Sequence, residues 1–291
     1  MISYKQIPFR NQQHPNAKFD LIRLEQFFQR QDLDHRPDQT HLVEFYILLF
    51  IEEGQGQHTI DFTDYDCRKG SLLSIRKDQL HKFVHSDSLK GALLLFTDEF
   101  LISYLEKQEF QKSLQLFNEL LGVPKIQLSE SAFEEIAAIV QRIENEYFNI
   151  RDDHSLNIIR SELHILITKL YRIKSQQRKM VVERRYLSEF IHLQSLVEQK
   201  VTTTRSVKEY AQMMGCSTKT LNNITKSIIN KTAKAFIGEI CIKQIKRLLI
   251  NTSLSVKEIA YTSGFEEVPN FYKYFKHHSQ TTPEQFRAAF R

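Results

Sequence analysis

The stretch that most constrains this chain lies near its carboxyl end, Ser255 to Phe286 (SVKEIAYTSGFEEVPNFYKYFKHHSQTTPEQF). Ser255 and Glu258 have the Ser-x-x-Glu spacing of a capping box, in which each side chain satisfies a backbone N–H that a helix start leaves open. Ile259 and Ala260 fall on the inner face of the short helix that follows. Gly264 supplies the left-handed residue on which the chain turns. Phe265, Val268, Phe271 and Phe275 give a second helix its buried side, which leaves Asn270, Lys273, Lys276 and His277 outward. Thr282-Pro283-Glu284 then opens a last helix with proline in its first turn, where the missing N–H costs nothing, and Phe286 packs inward. A helix, a tight turn and a second helix with a polar, basic outer side form the layout of a helix-turn-helix.

A related pattern stands about fifty residues earlier, from Ser206 to Lys226. Ser206 and Glu209 repeat the capping-box spacing, Val207, Tyr210, Ala211 and Met214 form the inner face, and Gly215 permits the turn. Ser217 caps the next helix, on which Leu221, Ile224 and Ile228 point inward. Thr218, Lys219, Asn222, Asn223 and Lys226 point out and, with Ser217, are candidate contacts to DNA. Asparagine amides match base-edge donors and acceptors, and lysines pair with phosphates. Between the two units, Phe236, Ile237, Ile240, Ile245, Leu248 and Leu249 follow helical spacing and predict one linking helix from about Ala233 to Asn251. Such a rod would lay two reading helices into neighbouring turns of one groove. One helix-turn-helix pattern alone is a weak signal. Charge strengthens it: residues 186–291 hold 15 Lys and Arg against 8 Asp and Glu, whereas residues 1–185 hold 25 against 27. The positive excess sits where attraction to phosphates requires it, which makes double-stranded DNA the expected partner.

The first part of the chain reads differently. Phe45 to Ile51 is a buried-strand run that stops at Glu52-Glu53-Gly54-Gln55-Gly56, a hairpin-like turn. His58 to Phe62, Tyr65 to Lys69, Ser71 to Ile75, His81 to His85 and Gly91 to Phe96 follow as short strands at roughly ten-residue spacing, the pattern of an antiparallel barrel or jelly roll. After Thr97 the period becomes 3.6. Asp98 to Lys107 reads as a helix. A second opens at Ser129-Glu130-Ser131 and runs to about Phe148 on Phe133, Ile136, Ile139, Val140 and Ile143. A third runs from Ser155 to about Arg172 on Leu156, Ile159, Leu163, Leu166, Ile167 and Leu170. The two long helices could cover the barrel or pair with a second copy in a homodimer. Lys174 to Lys179 is polar and aperiodic and reads as a linker. The expected architecture is α+β in two domains: a sensor and dimerisation domain at 1–175 (barrel about 20–97, helices about 98–173), a linker at 176–185, and an all-α tandem helix-turn-helix domain at 186–291. No apolar run reaches the length of a membrane span, and the amino terminus lacks a secretory h-region. Cys67, Cys216 and Cys241 are too widely spaced for a metal pair or a disulfide framework. A cytoplasmic protein with no membrane partner is expected.

The last hundred or so residues resemble the AraC/XylS family of bacterial transcription regulators. The matching residues are Ala211, Gly215, Ser217, Leu221, Leu248-Leu249, Ser255-Val256, Glu258-Ile259-Ala260, Gly264-Phe265, Phe271, Lys273, Phe275-Lys276 and Thr282-Pro283. The resemblance implies sequence-specific DNA binding and control of transcription, usually activation, with RNA polymerase as a partner, no enzymatic activity and no cofactor. Four positions depart from the family pattern: Pro269 replaces a small residue or Ser, Asn230 and Gln280 replace Gly, and Cys241 replaces an arginine. More loosely, His41 to Tyr46, Gly54-Gln55-Gly56, His58 to Asp61, Lys69 to Leu72 and Gln79-Leu80-His81 resemble the cupin-like sensor domain of such regulators, so the barrel is expected to be cupin-like. Metal-binding cupins need a close histidine pair, a carboxylate and a distant histidine. Here His41 and His81 are present, but Val43 stands where the second of the pair belongs, with Glu44 and His35 as substitutes. No metal is expected, and a cupin-type metalloprotein with a DNA-binding tail is the alternative. An organic effector is the other use of a barrel, and His41, Phe45, Tyr46, His81 and Phe83 are its candidate contacts. Inward aromatics also fill an empty small barrel.

Overall fold

The computed structural model describes residues 6–11, 14, 15, 17–30, 36–77, 79–84, 86, 88–102, 114–117, 123–150, 152–177 and 186–289. The chain forms two compact units that part near residue 180.

In the first unit the strands are β1 (Gln6–Ile7), β2 (Phe19–Arg23), β3 (His41–Val43), β4 (Tyr46–Glu53), β5 (Gln55–Ile60), β6 (Thr63–Arg68), β7 (Ser71–Ile75), β8 (Leu80–Phe83), β9 (Lys90–Phe96) and β10 (Lys125–Gln127). They make two five-stranded sheets, ordered β1-β3-β8-β5-β6 and β10-β7-β4-β9-β2. The expected barrel takes this form, two sheets enclosing one core. Side chains alternate along β4, and the two sets go to different places. Ile47, Leu49 and Ile51 share a core with Val43, Ile60 and Phe83 of the first sheet. Tyr46, Leu48 and Phe50 share another with the helices α3 (Glu130–Asn145) and α4 (Ser155–Gln177). A strand covered on both faces must be apolar at every position, which is why the run beginning at Phe45 has no polar interruption.

The shorter helices α1 (Leu24–Gln29) and α2 (Asp98–Ile102) also belong to this unit; positions 103–107 of the helix expected over Asp98 to Lys107 lie outside the described residues. The apolar faces of α3 (Ile136, Ile139, Val140, Ile143) and α4 (Ile159, Leu163, Leu166, Ile167, Leu170) lie on the second sheet. Of the two uses their spacing allowed, these faces are spent on covering the sheet. Leu156, expected on the same face, is instead 39% exposed. Tyr147, just beyond α3, donates to Asp20 Oδ1 of β2 (2.7 Å) and accepts from Asn11 Nδ2 (2.9 Å), which ties helix to sheet inside the core. No described helix is long and apolar enough to cross a membrane.

The second unit is helical: α5 (Leu187–Lys200), α6 (Val207–Met213), α7 (Thr218–Ile229), α8 (Ala233–Asn251), α9 (Val256–Thr262), α10 (Val268–Ser279) and α11 (Pro283–Ala289). The linking helix α8 has the bounds that its spacing predicts. Ser206, Ser217, Thr232 and Ser255 each cap a helix by accepting from a backbone N–H three residues on. The capping box is complete at Ser255 and Glu258. At Ser206 only half of it forms, because the Ser206 N–H donates to Thr204 Oγ1 (3.0 Å) and leaves Glu209 no donor to reach. Pro269 is the second residue of α10, inside the turn that has no intrahelical N–H partners, so the departure is accommodated. Asn230 (φ 54°) and Gln280 (φ 58°) end α7 and α10 in the left-handed conformation. Asparagine enters that region more readily than glutamine, so the second of these ends carries more backbone strain.

Candidate nucleic-acid interface and effector wall

Leu221, Ile224, Thr225 and Ile228 bury one side of α7. The other side is exposed at Thr218, Lys219, Asn223 and Lys226, of which Lys219, Asn223 and Lys226 recur at helical spacing. Ser217 is exposed, but its hydroxyl is used as the cap of this helix, accepting from the Thr220 N–H at 3.0 Å. Asn222 is half-buried and has partners within the protein: its Nδ2 donates to the Thr218 carbonyl of the same helix (2.9 Å) and its Oδ1 accepts from the Ala233 N–H (3.0 Å), the first amide of α8. One Nδ2 hydrogen and one Oδ1 lone pair remain beyond these two bonds.

On α10, Phe271 and Phe275 are buried, while Asn270, Lys273, Lys276 and His277 are exposed. Asn270 Nδ2 donates to Glu267 Oε2 (3.2 Å), which leaves its carbonyl oxygen available. The two outer faces differ in charge. No carboxylate stands at the start of α7, whereas Glu266 and Glu267 stand exposed just before α10.

In the first unit, four of the five residues assigned to an effector meet in one core. His41 and His81 are cross-strand partners on β3 and β8, with ring centres 4.3 Å apart. Phe83 is in the same core, and Phe45 packs edge-on against Phe9 at 5.6 Å. Tyr46 does not join them. It follows Phe45 by one residue, so it points to the opposite face of the sheet and packs on Phe96 and Phe117 under the helices.

His58, which the sequence reading left out, completes the wall. It lies on β5 opposite Phe83, with its ring 4.5 Å from Phe83 and 5.3 Å from His81. His41, His58 and His81 are all at most 3% exposed. Neither ring nitrogen of His58 has a hydrogen-bond partner. The signal was present in the alternation His58-Thr59-Ile60, which puts His58 on the side of the apolar Ile60. Glu44 is exposed, Val43 is in the core, and His35 lies outside the described residues. Among the described residues no group of three or more His, Cys, Asp or Glu is arranged to hold a metal ion. Cys67, Cys216 and Cys241 are all free thiols.

Burial, and then the charge of nearby His41, pushes His58 down to about 3. Its ordinary value near 6.5 applies to the unfolded chain, so between these limits the unfolded state binds a proton that the folded state refuses. Stability from this group is complete above about pH 6.5 and is lost as pH falls toward 3. At pH 4 the loss is about 3 kcal/mol relative to pH 7. Urea titrations of wild type and of His58→Leu at the two pH values measure it: the pH-dependent difference should shrink by about that amount in the variant.

Comparison with known proteins agrees with both halves. A family model described as a helix-turn-helix domain matches residues 210–289, and one described as an AraC-like ligand binding domain matches residues 22–165. The HTH-type transcriptional activator RhaR of Enterobacter sp. (strain 638) is 21% identical over 250 residues, covering 85% of this chain and 86% of that protein. RhaR of Mannheimia succiniciproducens is 24% identical over 260 residues, covering 87% and 88%. The HTH-type transcriptional activator RhaS of the same Enterobacter strain is 20% identical over 266 residues, covering 86% of this chain and 87% of that one. Among solved structures, ToxT from Vibrio cholerae O395 aligns with a TM-score of 0.44 at 14% identity, covering 93% of this chain and 97% of that one. With the ligand-binding model on the two-sheet unit and the helix-turn-helix model on the helical unit, the chain belongs to the AraC family of DNA-binding transcription regulators.

Proposed function

We propose that the protein activates transcription from a specific operator, gripping it with α7 and α10 side by side. The observation that carries this reading is the pair of exposed faces, Lys219, Asn223 and Lys226 on one helix and Asn270, Lys273, Lys276 and His277 on the other, borne on two helices joined by the single rod α8. Thr218 and the cap Ser217 stand at the helix start, where backbone N–H groups attract phosphate. Activation follows the function named for the RhaR and RhaS relatives, and it makes RNA polymerase a partner. The protein works in the cytoplasm, where its three thiols stay reduced.

The two-sheet unit takes a small organic effector against His41, His58, His81, Phe83 and Phe45. A wall of aromatic and apolar groups with a few hydrogen-bonding nitrogens is the usual design of such a site. A homodimer joins through the outer side of α4, where Ile158 and Ile165 are 41% and 43% exposed two turns apart. The test of the DNA reading is selection of duplexes from a randomised 30-base-pair pool with the purified chain. The winning duplex should bind at least about a thousandfold more tightly than the unselected pool at physiological salt. A ratio near one would assign the protein to sequence-blind DNA packaging. Native mass spectrometry of the same preparation reports copy number and any retained small molecule together.

A further inference from the structure

Arg205 lies in the irregular segment between α5 and α6, outside every apolar period and every reading face. Its guanidinium donates from Nη1 to the Ser263 carbonyl (2.7 Å) and from Nη2 to the Gly264 carbonyl (2.8 Å). Its central carbon sits 4.0 Å from the centre of the Phe265 ring. Ser263, Gly264 and Phe265 are the turn of the second helix-turn-helix, and Arg205 immediately precedes Ser206, the cap that opens the first. The two backbones also meet here: a Cβ on Gly264 would stand 2.0 Å from the Thr202 carbonyl oxygen.

The two helix-turn-helix units are thus joined twice. The rod α8 packs along its length against helices of both units, and Tyr274 and Arg287 of the second unit donate to its Gly238 and Leu249 carbonyls. The Arg205 clamp, beside Cys241 of the rod, adds a direct bond from the entry of the first unit to the turn of the second. Charge-assisted, two-pronged bonds from a guanidinium hold direction as well as distance, and the cation over the Phe265 ring adds to the hold. Ser263 and Phe265 are both buried, so water competes poorly for these contacts.

We propose that Arg205 is a positioning residue that fixes the separation at which α7 and α10 meet the duplex, and so sets the operator spacing the protein accepts. This rests on the reading in which both helices engage one duplex. Two DNA probes test it: the duplex selected by the wild-type chain, and the same duplex with one base pair inserted between its two protected segments, a shift of about 3.4 Å along the axis. Wild type should bind the inserted duplex about thirtyfold more weakly, a penalty of the size that one wrong base pair brings. Arg205→Met keeps the stem but removes the donors, and should discriminate between the two by less than about threefold. Arg205→Lys keeps the charge without the fork and should fall between. Affinity for unselected duplex should be unchanged in both variants.

Retention of the wild-type ratio by Arg205→Met would overturn the proposal. So would loss of helical circular dichroism in both variants, which would assign Arg205 to stability alone. A wild-type chain indifferent to the insertion would instead refute the two-helix reading, and the clamp with it.

Discussion

Replacing Lys219, Lys226, Lys273 and Lys276 together by glutamine should lower the dependence of log K on log salt by between three and four units. Each lysine that neutralises a phosphate releases condensed counterions and contributes about 0.9 to that slope. Four such contacts amount to roughly 4,000-fold in affinity at 0.1 M salt relative to 1 M. The loss should be nearly the same on the selected duplex and on unselected DNA, because phosphates carry no sequence. Asn223→Ala should behave in the opposite way, weakening the selected duplex by about tenfold or more while leaving unselected binding and the salt slope alone. Lys231→Gln is the control, since its ammonium already pairs with Glu239 at 2.5 Å. Fluorescence anisotropy between 0.05 and about 0.4 M salt reads all of these, a range over which such slopes are resolved. The two helices should not contribute equally. Exposed Glu266 and Glu267 oppose phosphate at the start of α10, and α7 has no such carboxylates, so the pair Lys219 and Lys226 should cost more when removed than the pair Lys273 and Lys276. A variant with all four glutamines and an unaltered slope would place the DNA on another surface.

The helical unit was legible because its information is local. A cap, an apolar period and a glycine turn are all read within about ten residues, and α8 runs from Ala233 to Asn251 as its spacing implies. What escaped is what depends on partners distant in sequence. Asn222 looks like an outward amide by periodicity, and only the amide of Ala233, eleven residues on, shows that it also bonds within the protein. Arg205 lies in an aperiodic segment, and nothing near it announces a bond to residues 58 and 59 positions away. In the two-sheet unit, the run from Phe45 to Ile51 declared a buried strand but not which side chain faces which core. That parity is fixed by cross-strand register, which puts Phe45 and Tyr46 on opposite faces. His58 was missed for the same reason, since its company with His41 and His81 comes from the pairing of β5 and β3 with β8. The strand β2 and helix α1 share the stretch Phe19 to Gln29, whose mixed apolar spacing satisfies neither period cleanly.

The same turn occurs twice in the helical unit, so the cost of altering it separates backbone conformation from contact. Gly215 has φ +62° and Gly264 φ +75°, both in the left-handed region that a Cβ disfavours. Around Gly215 nothing lies within 4 Å of an added Cβ, so Gly215→Ala should cost only the conformational penalty, about 1 kcal/mol. At Gly264 the same methyl would meet the Thr202 carbonyl oxygen at 2.0 Å and its carbon at 2.9 Å. A backbone carbonyl cannot rotate aside as a side chain can, so the segment before α6 must retreat from the turn. Gly264→Ala should therefore cost about 3 kcal/mol or more, in the range of mutations that break a buried close contact. Denaturant titration of the helical unit's transition measures both. The retreat would also carry Arg205 away from the Ser263 and Gly264 carbonyls, so the damage should reach DNA binding before the unit unfolds. At a temperature where Gly264→Ala remains folded, it should already accept the duplex with one inserted base pair, while Gly215→Ala should reject it as wild type does. Equal stability costs at the two glycines would mean that the approach of Thr202 holds nothing, and that the two helix-turn-helix units are set by α8 alone.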